Sequence, residues 1–198
     1  MLGDELASSM ATRFTWICHA STATARLGAF PGDEAIDEKG AAQAAAATGS
    51  IAKPERVWRS PMLCARQTAE ALGLAGVVEP ALKECDYGRW SGRTLKEIHS
   101  QEPGDLETWI HDPTSSPHGG ETIVHLIRRV AAWIDDHRRD AGHTVVITHS
   151  SVIRAAIIHV IQASPSSFNR IDIAPLSRTI ISAHDGQLRL ASMGCLDV

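Results

Sequence analysis

The sequence has little that would staple it, anchor it or draw it to nucleic acid. Its four cysteines, Cys18, Cys64, Cys85 and Cys195, show no CxxC spacing. In a reducing compartment they read as free thiols and not as a disulfide framework. Long apolar runs are missing too: stretches such as 145–147 and 155–158 fall far short of the ~20 residues that cross a bilayer, so a soluble chain is expected. Residues 1–10 carry Asp4 and Glu5 and lack both a basic start and a long apolar core. They do not read as a secretory signal, and the cytoplasm is the expected location. Nor is positive charge in excess. Lys+Arg 19 against Asp+Glu 23 gives a formal charge of -4, and the ten histidines add little at neutral pH, which disfavours a nucleic-acid binder. Internal repeats and low-complexity linkers are lacking.

What is present is enough chain for a core. With 198 residues the expectation is one domain over 1–198, with residues 1–12 as a flexible N-terminus. A chain this size buries roughly 70% of its unfolded surface without a metal or disulfide staple. Residues 13–18, rich in aromatic and branched side chains, read as a strand feeding the small, polar run from His19 to Ala25. An Ala-rich helix is expected from Asp37 through Ala47, closed near Gly49. Residues 56–58 read as a strand, followed by a turn at Ser60-Pro61 and a helix over 62–72 with Pro61 in its first turn. From Glu79 to Gly120, glycines and prolines leave only short helices, and so long an excursion is usually functional. An amphipathic helix over 121–138 precedes the branched run 144–148, a strand buried on both faces, then His149 and an apolar helix over 152–161. Residues 171–173, 179–183 and 188–191 read as closing strands with one hairpin.

This alternation predicts an α/β three-layer sandwich, a largely parallel central sheet flanked by helices. Ligands of such sheets bind beyond the carboxyl ends of strands. The loops at His19, Ser60 and His149 should therefore converge. Position directly after a strand singles out His19 and His149; the other histidines read as ordinary solvated or hydrogen-bonded side chains. The five tryptophans read as packing residues, with Trp109 able to line a cavity.

Six segments carry a resemblance. They are Cys18-His19-Ala20-Ser21-Thr22, Asp37 to Ala44, Ser60-Pro61-Met62-Leu63 with Gln67-Thr68-Ala69, Glu84 to Gly92, Gly119-Gly120-Glu121-Thr122, and Val146-Ile147-Thr148-His149. In order and spacing they resemble the histidine phosphatase superfamily, the phosphoglycerate-mutase-like proteins, over about residues 13–193. The resemblance implies a phosphomonoester hydrolase working through a phosphohistidine on His19. His149 would donate to a phosphoryl oxygen, and Glu84 would protonate the leaving group and then help deprotonate water. The length is closer to the small phosphatase branch than to the longer mutases.

Two departures are specific. Where the family usually has arginines, in its first motif and four residues beyond its Ser-Pro start, this chain has Cys18 and Cys64, and Ala25 stands where an Asn is frequent. At ~1.5–3 kcal/mol per charged hydrogen-bonding interaction, two lost arginines forfeit about 3–6 kcal/mol of phosphate stabilisation. Arg66 is two residues from Cys64 on a helix and hence poorly placed; Arg59 and Arg26 are better, and Arg26 is preferred. The expected substrate-binding set is Cys18, Thr22, Arg26, Cys64 and Ser150, around a small-molecule phosphate ester. No nucleic acid or membrane partner is expected, and a homodimer is left open. Two thiols and two imidazoles also make a zinc ligand set, and a Cys18–Cys64 disulfide is conceivable. Small apolar filler is the preferred reading of both thiols, with no metal or cofactor. The alternative to hydrolysis is a pseudophosphatase that binds a ligand or partner in the same pocket.

Overall fold

Branched and aromatic runs become strands, and the segments between them become helices. The computed structural model describes residues 11–195. In chain order it contains β1 (Ala11–Cys18), α1 (Ala23–Leu27), α2 (Glu38–Ala46), β2 (Arg56–Arg59), α3 (Leu63–Ala71) and β3 (Val77–Val78). There follow α4 (Leu95–Gln101), α5 (Pro103–His111), α6 (Ile123–His137), β4 (Gly142–Thr148), α7 (Ser150–Val160), β5 (Arg178–His184) and β6 (Gln187–Cys195). The six strands form one sheet in the order β3-β2-β4-β1-β5-β6. The pairs β1–β4, β2–β4 and β2–β3 are parallel, while β1–β5 and β5–β6 are antiparallel. The sheet is thus mixed, its central part parallel and one side closed by an antiparallel hairpin.

Alternation along the central strands builds a core on each face. Phe14, Trp16, Cys18 and Val146 face a large cluster with residues of α6 and α7, among them Leu126, Trp133, Val152 and Ile157. Ile17, Val145 and Ile147 face the other way, onto Ala65, Ala69 and Leu72 of and after α3. Helices therefore cover both faces, as the α/β sandwich requires. At ~25 cal/mol per Å² of apolar surface, each fully buried large side chain such as Trp16 or Ile147 contributes about 1.5–3 kcal/mol.

Several details differ from expectation. Residues 1–10 of the expected flexible N-terminus lie outside the described residues, but Ala11 and Thr12 belong to β1, held by pairing to His184, Ala183 and Gly142. Pro61 precedes the N-cap Met62 and so stands outside the first turn of α3. Residues 171–173 are not a strand; they follow the 3₁₀ turn Pro165–Arg170 without pairing in the sheet. The hairpin β5–β6 turns at Asp185-Gly186, both at positive φ (50° and 78°), the backbone that a tight two-residue turn needs. In the long excursion, Thr94 and Glu97 form a capping box that starts α4.

Parallel register places the functional loops. Cys18 pairs with Thr148, and Arg59 with Ile147. The next residues, His19, Ser60 and His149, therefore leave the sheet at the same edge. Among the described residues, no helix is long and apolar enough to cross a membrane.

Candidate active site

His19 is fixed from both its backbone and its ring. Its N–H donates to Thr148 O at 2.8 Å, continuing the β1–β4 ladder by one residue. Its Nδ1 lies 2.8 Å from Ala20 O. A carbonyl only accepts, so in the neutral ring Nδ1 carries the hydrogen and Nε2 keeps its lone pair. The loop is tied to α3 by Ala20 N–H donating to Thr68 Oγ1 at 2.9 Å. It is tied to α2 by Ser21 Oγ–H donating to Asp37 Oδ2 at 2.8 Å, and Asp37 also caps α2 through Gly40 N–H. Burial lowers the His19 pKa from its ordinary 6.5, against the Ala20 bond and the Glu34 charge, which raise it.

His149 stands opposite, edge to face, with ring centroids 5.1 Å apart. It is the N-cap residue of α7, and its Nε2 lies 2.7 Å from Ser60 Oγ. Its Nδ1 faces Glu84 Oε2 at 3.7 Å and Cys64 Sγ at 3.9 Å. Burial drives its pKa well below 6.5, and the charges of His19 and Arg129 add to that. Glu84 is 5% exposed. Its Oε1 accepts from Cys85 N–H at 2.7 Å and from the Ser151 hydroxyl. Burial pushes its pKa up to about 7, the Cys85 N–H, Arg154 and Arg129 opposing. Burial disfavours the charged form of both groups: His149 stays neutral while Glu84 titrates near 7, so the pair is not a fixed ion pair. A cavity of about 370 Å³ opens onto Glu84, with Asp33, Lys83, Asp86 and Met62 in its wall.

The three loops thus meet, bringing His19, His149, Glu84 and Cys64 together. Cys18 is buried at the end of β1, its thiol pKa raised by burial and then by Glu84 and Cys64. Cys64 is pushed up to about 12, chiefly by burial and then by the Glu84 charge. Both thiols are free, so they are not bridged. Thr22 caps α1, accepting from Ala25 N–H, and Ser150 opens α7 half-exposed. Arg26 is not drawn to the imidazoles: its Nε lies 3.5 Å from Asp37 Oδ2 and its side chain is 56% exposed. The Asp37 carboxylate, already needed as the α2 cap, is the nearer anion. Sequence reasoning missed Ser60 and Ser151 as hydroxyl partners of His149 and Glu84. It also missed Arg129 and Arg154 as the cations felt by Glu84. Of the four, Ser60, which opens the Ser-Pro motif, and Ser151, two residues after His149 at a helix start, carried a sequence signal; the two arginines did not.

Residues 14–196 match the sequence profile of the histidine phosphatase superfamily, branch 1. Phosphoserine phosphatase 1 of Hydrogenobacter thermophilus is 26% identical over 161 residues, covering 76% of each chain. Glucosyl-3-phosphoglycerate phosphatase of Mycobacterium tuberculosis is 35% identical over 103 residues, 49% of this chain and 46% of that one. The chain likewise spans about half the length, 49%, of other mycobacterial relatives it matches. The solved structure of a mycobacterial glucosyl-3-phosphoglycerate phosphatase in complex with VO3 superposes with a TM-score of 0.82 at 25% identity, over 93% of this chain and 99% of that one.

Proposed function

The chain belongs to the histidine phosphatase superfamily, and we propose that it hydrolyses a small phosphomonoester through a phosphohistidine on His19. The observation that carries this reading is the bond from His19 Nδ1 to Ala20 O, which leaves Nε2 with its lone pair in a ring whose centroid is 5.1 Å from that of His149. In the first step Nε2 attacks phosphorus in line, the bond from phosphorus to the ester oxygen breaks, and protonated Glu84 gives its proton to the departing alcohol. In the second step water attacks phosphorus, the P–N bond breaks with its electron pair returning to Nε2, Glu84 takes the water's proton, and inorganic phosphate leaves. A pKa of about 7 lets one carboxyl serve as acid and then base. His149 donates from Nδ1 to a phosphoryl oxygen; the Ser60 hydroxyl, able to give or take a hydrogen bond at Nε2, supports that tautomer.

The anion has modest support. The first N–H groups of the eleven-residue helix α7 and the hydroxyls of Ser150 and Thr22 are the donors we assign to it. Without the arginines the expected rate deficit is on the order of a hundredfold to ten-thousandfold relative to an arginine-clamped site. The cavity that Glu84 lines beside the two histidines, about 370 Å³, sits at the small end of ligand pockets, and we assign it the alcohol part of a small ester. Phosphoserine and glucosyl-3-phosphoglycerate phosphatases among the relatives point to the same class. The free, buried thiols suit a reducing compartment, and we assign the protein to the cytoplasm.

A generic aryl phosphate with alkaline quenching tests this. Phosphate release, and a chain heavier by one phosphoryl group, should both vanish in His19→Ala; release that survives the substitution refutes the nucleophile. The charges that act on His19 and Cys64 favour a second reading, a pseudophosphatase: Glu34 acts on the first, and Glu84, Asp33 and Glu34 on the second. Absence of turnover across a phosphomonoester panel, with a ligand still raising Tm, would select it.

A further inference from the structure

Where the three loops meet, the donor atoms of His19, Cys64 and His149 all lie within 4.8 Å of one another, and all three residues are buried. We propose that these three side chains form a zinc site, two imidazole nitrogens and the Cys64 sulfur holding Zn2+ with a fourth position left open beside Glu84. Tetrahedral zinc with bonds of about 2.0–2.3 Å sets its donor atoms roughly 3.3–3.8 Å apart. The Cys64 Sγ to His149 Nδ1 separation, 3.9 Å, is already close to that. The remaining separations, none above 4.8 Å, have about 1 Å to close.

Orientation and charge agree with the spacing. Metal-bound histidines give their second nitrogen to a protein oxygen, which fixes ring and tautomer. Both rings have that partner here: Ala20 O for His19 Nδ1 and Ser60 Oγ for His149 Nε2. The nitrogens left over, His19 Nε2 and His149 Nδ1, are the ones available to a metal. The carboxylates of Glu84, Asp33 and Glu34 all act on Cys64. Arg129, which acts on His149, is itself paired with Glu121 at 2.7 Å and donates to Ala81 O and Lys83 O. This surrounding charge suits a cation better than a doubly charged phosphate. Neutral imidazoles and a thiol that becomes thiolate suit zinc more than magnesium or calcium. On binding, a zinc–sulfur bond forms, the S–H bond breaks, and the proton leaves to solvent; nothing is oxidised or reduced.

The site also has a consequence for activity. Zinc occupies the His19 lone pair, so metal binding and phosphoryl transfer exclude each other. That consequence rests on the phosphatase reading above; the binding does not. The test uses the full chain, untagged and reduced. Co2+ titration should show one equivalent per chain, with the charge-transfer band of a thiolate–cobalt bond, displaced by Zn2+. The band should vanish in Cys64→Ser and persist in Cys195→Ser, which removes the exposed thiol. In His19→Ala, Zn2+ affinity should fall by more than the about 10–100-fold typical of losing an outer-shell partner. Circular dichroism of each variant establishes that it folds, and the Zn2+-induced rise in Tm of wild type gives a measurement free of substitutions. A band kept in Cys64→Ser, substoichiometric binding, or no Tm shift overturns the site. Stoichiometric zinc that leaves aryl phosphate hydrolysis intact keeps the site and refutes His19 as nucleophile.

Discussion

Glu84 is a carboxyl with almost no water around it, and its titration has two readable effects. Its ordinary pKa is 4.5 and its value in the folded chain is about 7. Between these the folded state binds more protons than the unfolded one, so Glu84 makes stability fall as pH rises from about 4.5 to about 7. At 1.36 kcal/mol per pH unit, the rise from 4.5 to about 7 makes the full penalty above pH 7 on the order of 3–4 kcal/mol. Glu84→Gln keeps the Oε1 acceptor for Cys85 N–H and the Ser151 hydroxyl yet cannot ionise. It should be more stable than wild type by that amount at pH 8, match it near pH 4, and be inactive; melts at the two pH values decide. A gain equal at both would mean that ionisation is not the cause. The same titration sets the upper limb of kcat/KM near pH 7, where the acid loses its proton. The lower limb falls below 6.5, where His19 charges. His19, His149 and Glu84 were legible in sequence because their motifs carry them. The hydrogen-bonding roles of Ser60 and Ser151 were not, since a hydroxyl beside an imidazole or carboxyl has no spacing rule. The pairing of Arg26 with Asp37 was hidden because it is a competition between two anions that only coordinates resolve.

At the scale of elements, the His19 loop is held by a helix end that has no room to spare. A Cβ at Gly40, in the first turn of α2, would sit 2.6 Å from Ser21 O and 2.8 Å from Ser21 N. Both are backbone atoms of the loop that carries His19, so nothing flexible can yield. Gly40→Ala should therefore destabilise by about 1–3 kcal/mol. It should also lower kcat tenfold to a hundredfold, about what a misplacement of ~1 Å costs. Gly104→Ala, in α5 with nothing within 4 Å of the added atom, is the matched control and should leave turnover unchanged while raising stability by about 0.4–1 kcal/mol. Urea melts and aryl phosphate turnover on both variants separate loop displacement from a general glycine effect. The elements themselves were largely readable: β1, β2, β4 and the helices after them followed from branched runs and from apolar spacing. The short helix α1 was not readable, because five residues capped by Thr22 bury nothing and so leave no periodicity. Residues 171–173 misled for the converse reason. Two isoleucines around an aspartate alternate like a strand, but Ile173 is buried in the core while the segment pairs with nothing in the sheet.

Across the whole molecule, composition gave the sign of the charge, -4, but not where the cations go. Several are paired with carboxylates: Arg89 and Arg93 bind Glu102, Arg89 also binds Asp105, and Arg129, whose charge Glu84 and His149 feel, is paired with Glu121. The cavity wall keeps Asp33, Asp86 and Glu84, with Lys83 as its cation. An incoming phosphate ester therefore meets a field of its own sign, the reverse of the steering that a basic cleft supplies. Salt shortens the reach of that field, from a Debye length of ~30 Å at 0.01 M to ~10 Å at 0.1 M. Repulsion acts on encounter more than on the bound complex, so kcat/KM should rise on the order of two- to fivefold over this range while kcat stays constant. A neutral inhibitor of similar size should show no such change. Steady-state kinetics at fixed pH across sodium chloride concentrations measures this. If kcat/KM instead falls with salt, the pocket presents net positive charge to the substrate, and cations that the static arrangement pairs elsewhere must turn inward during turnover.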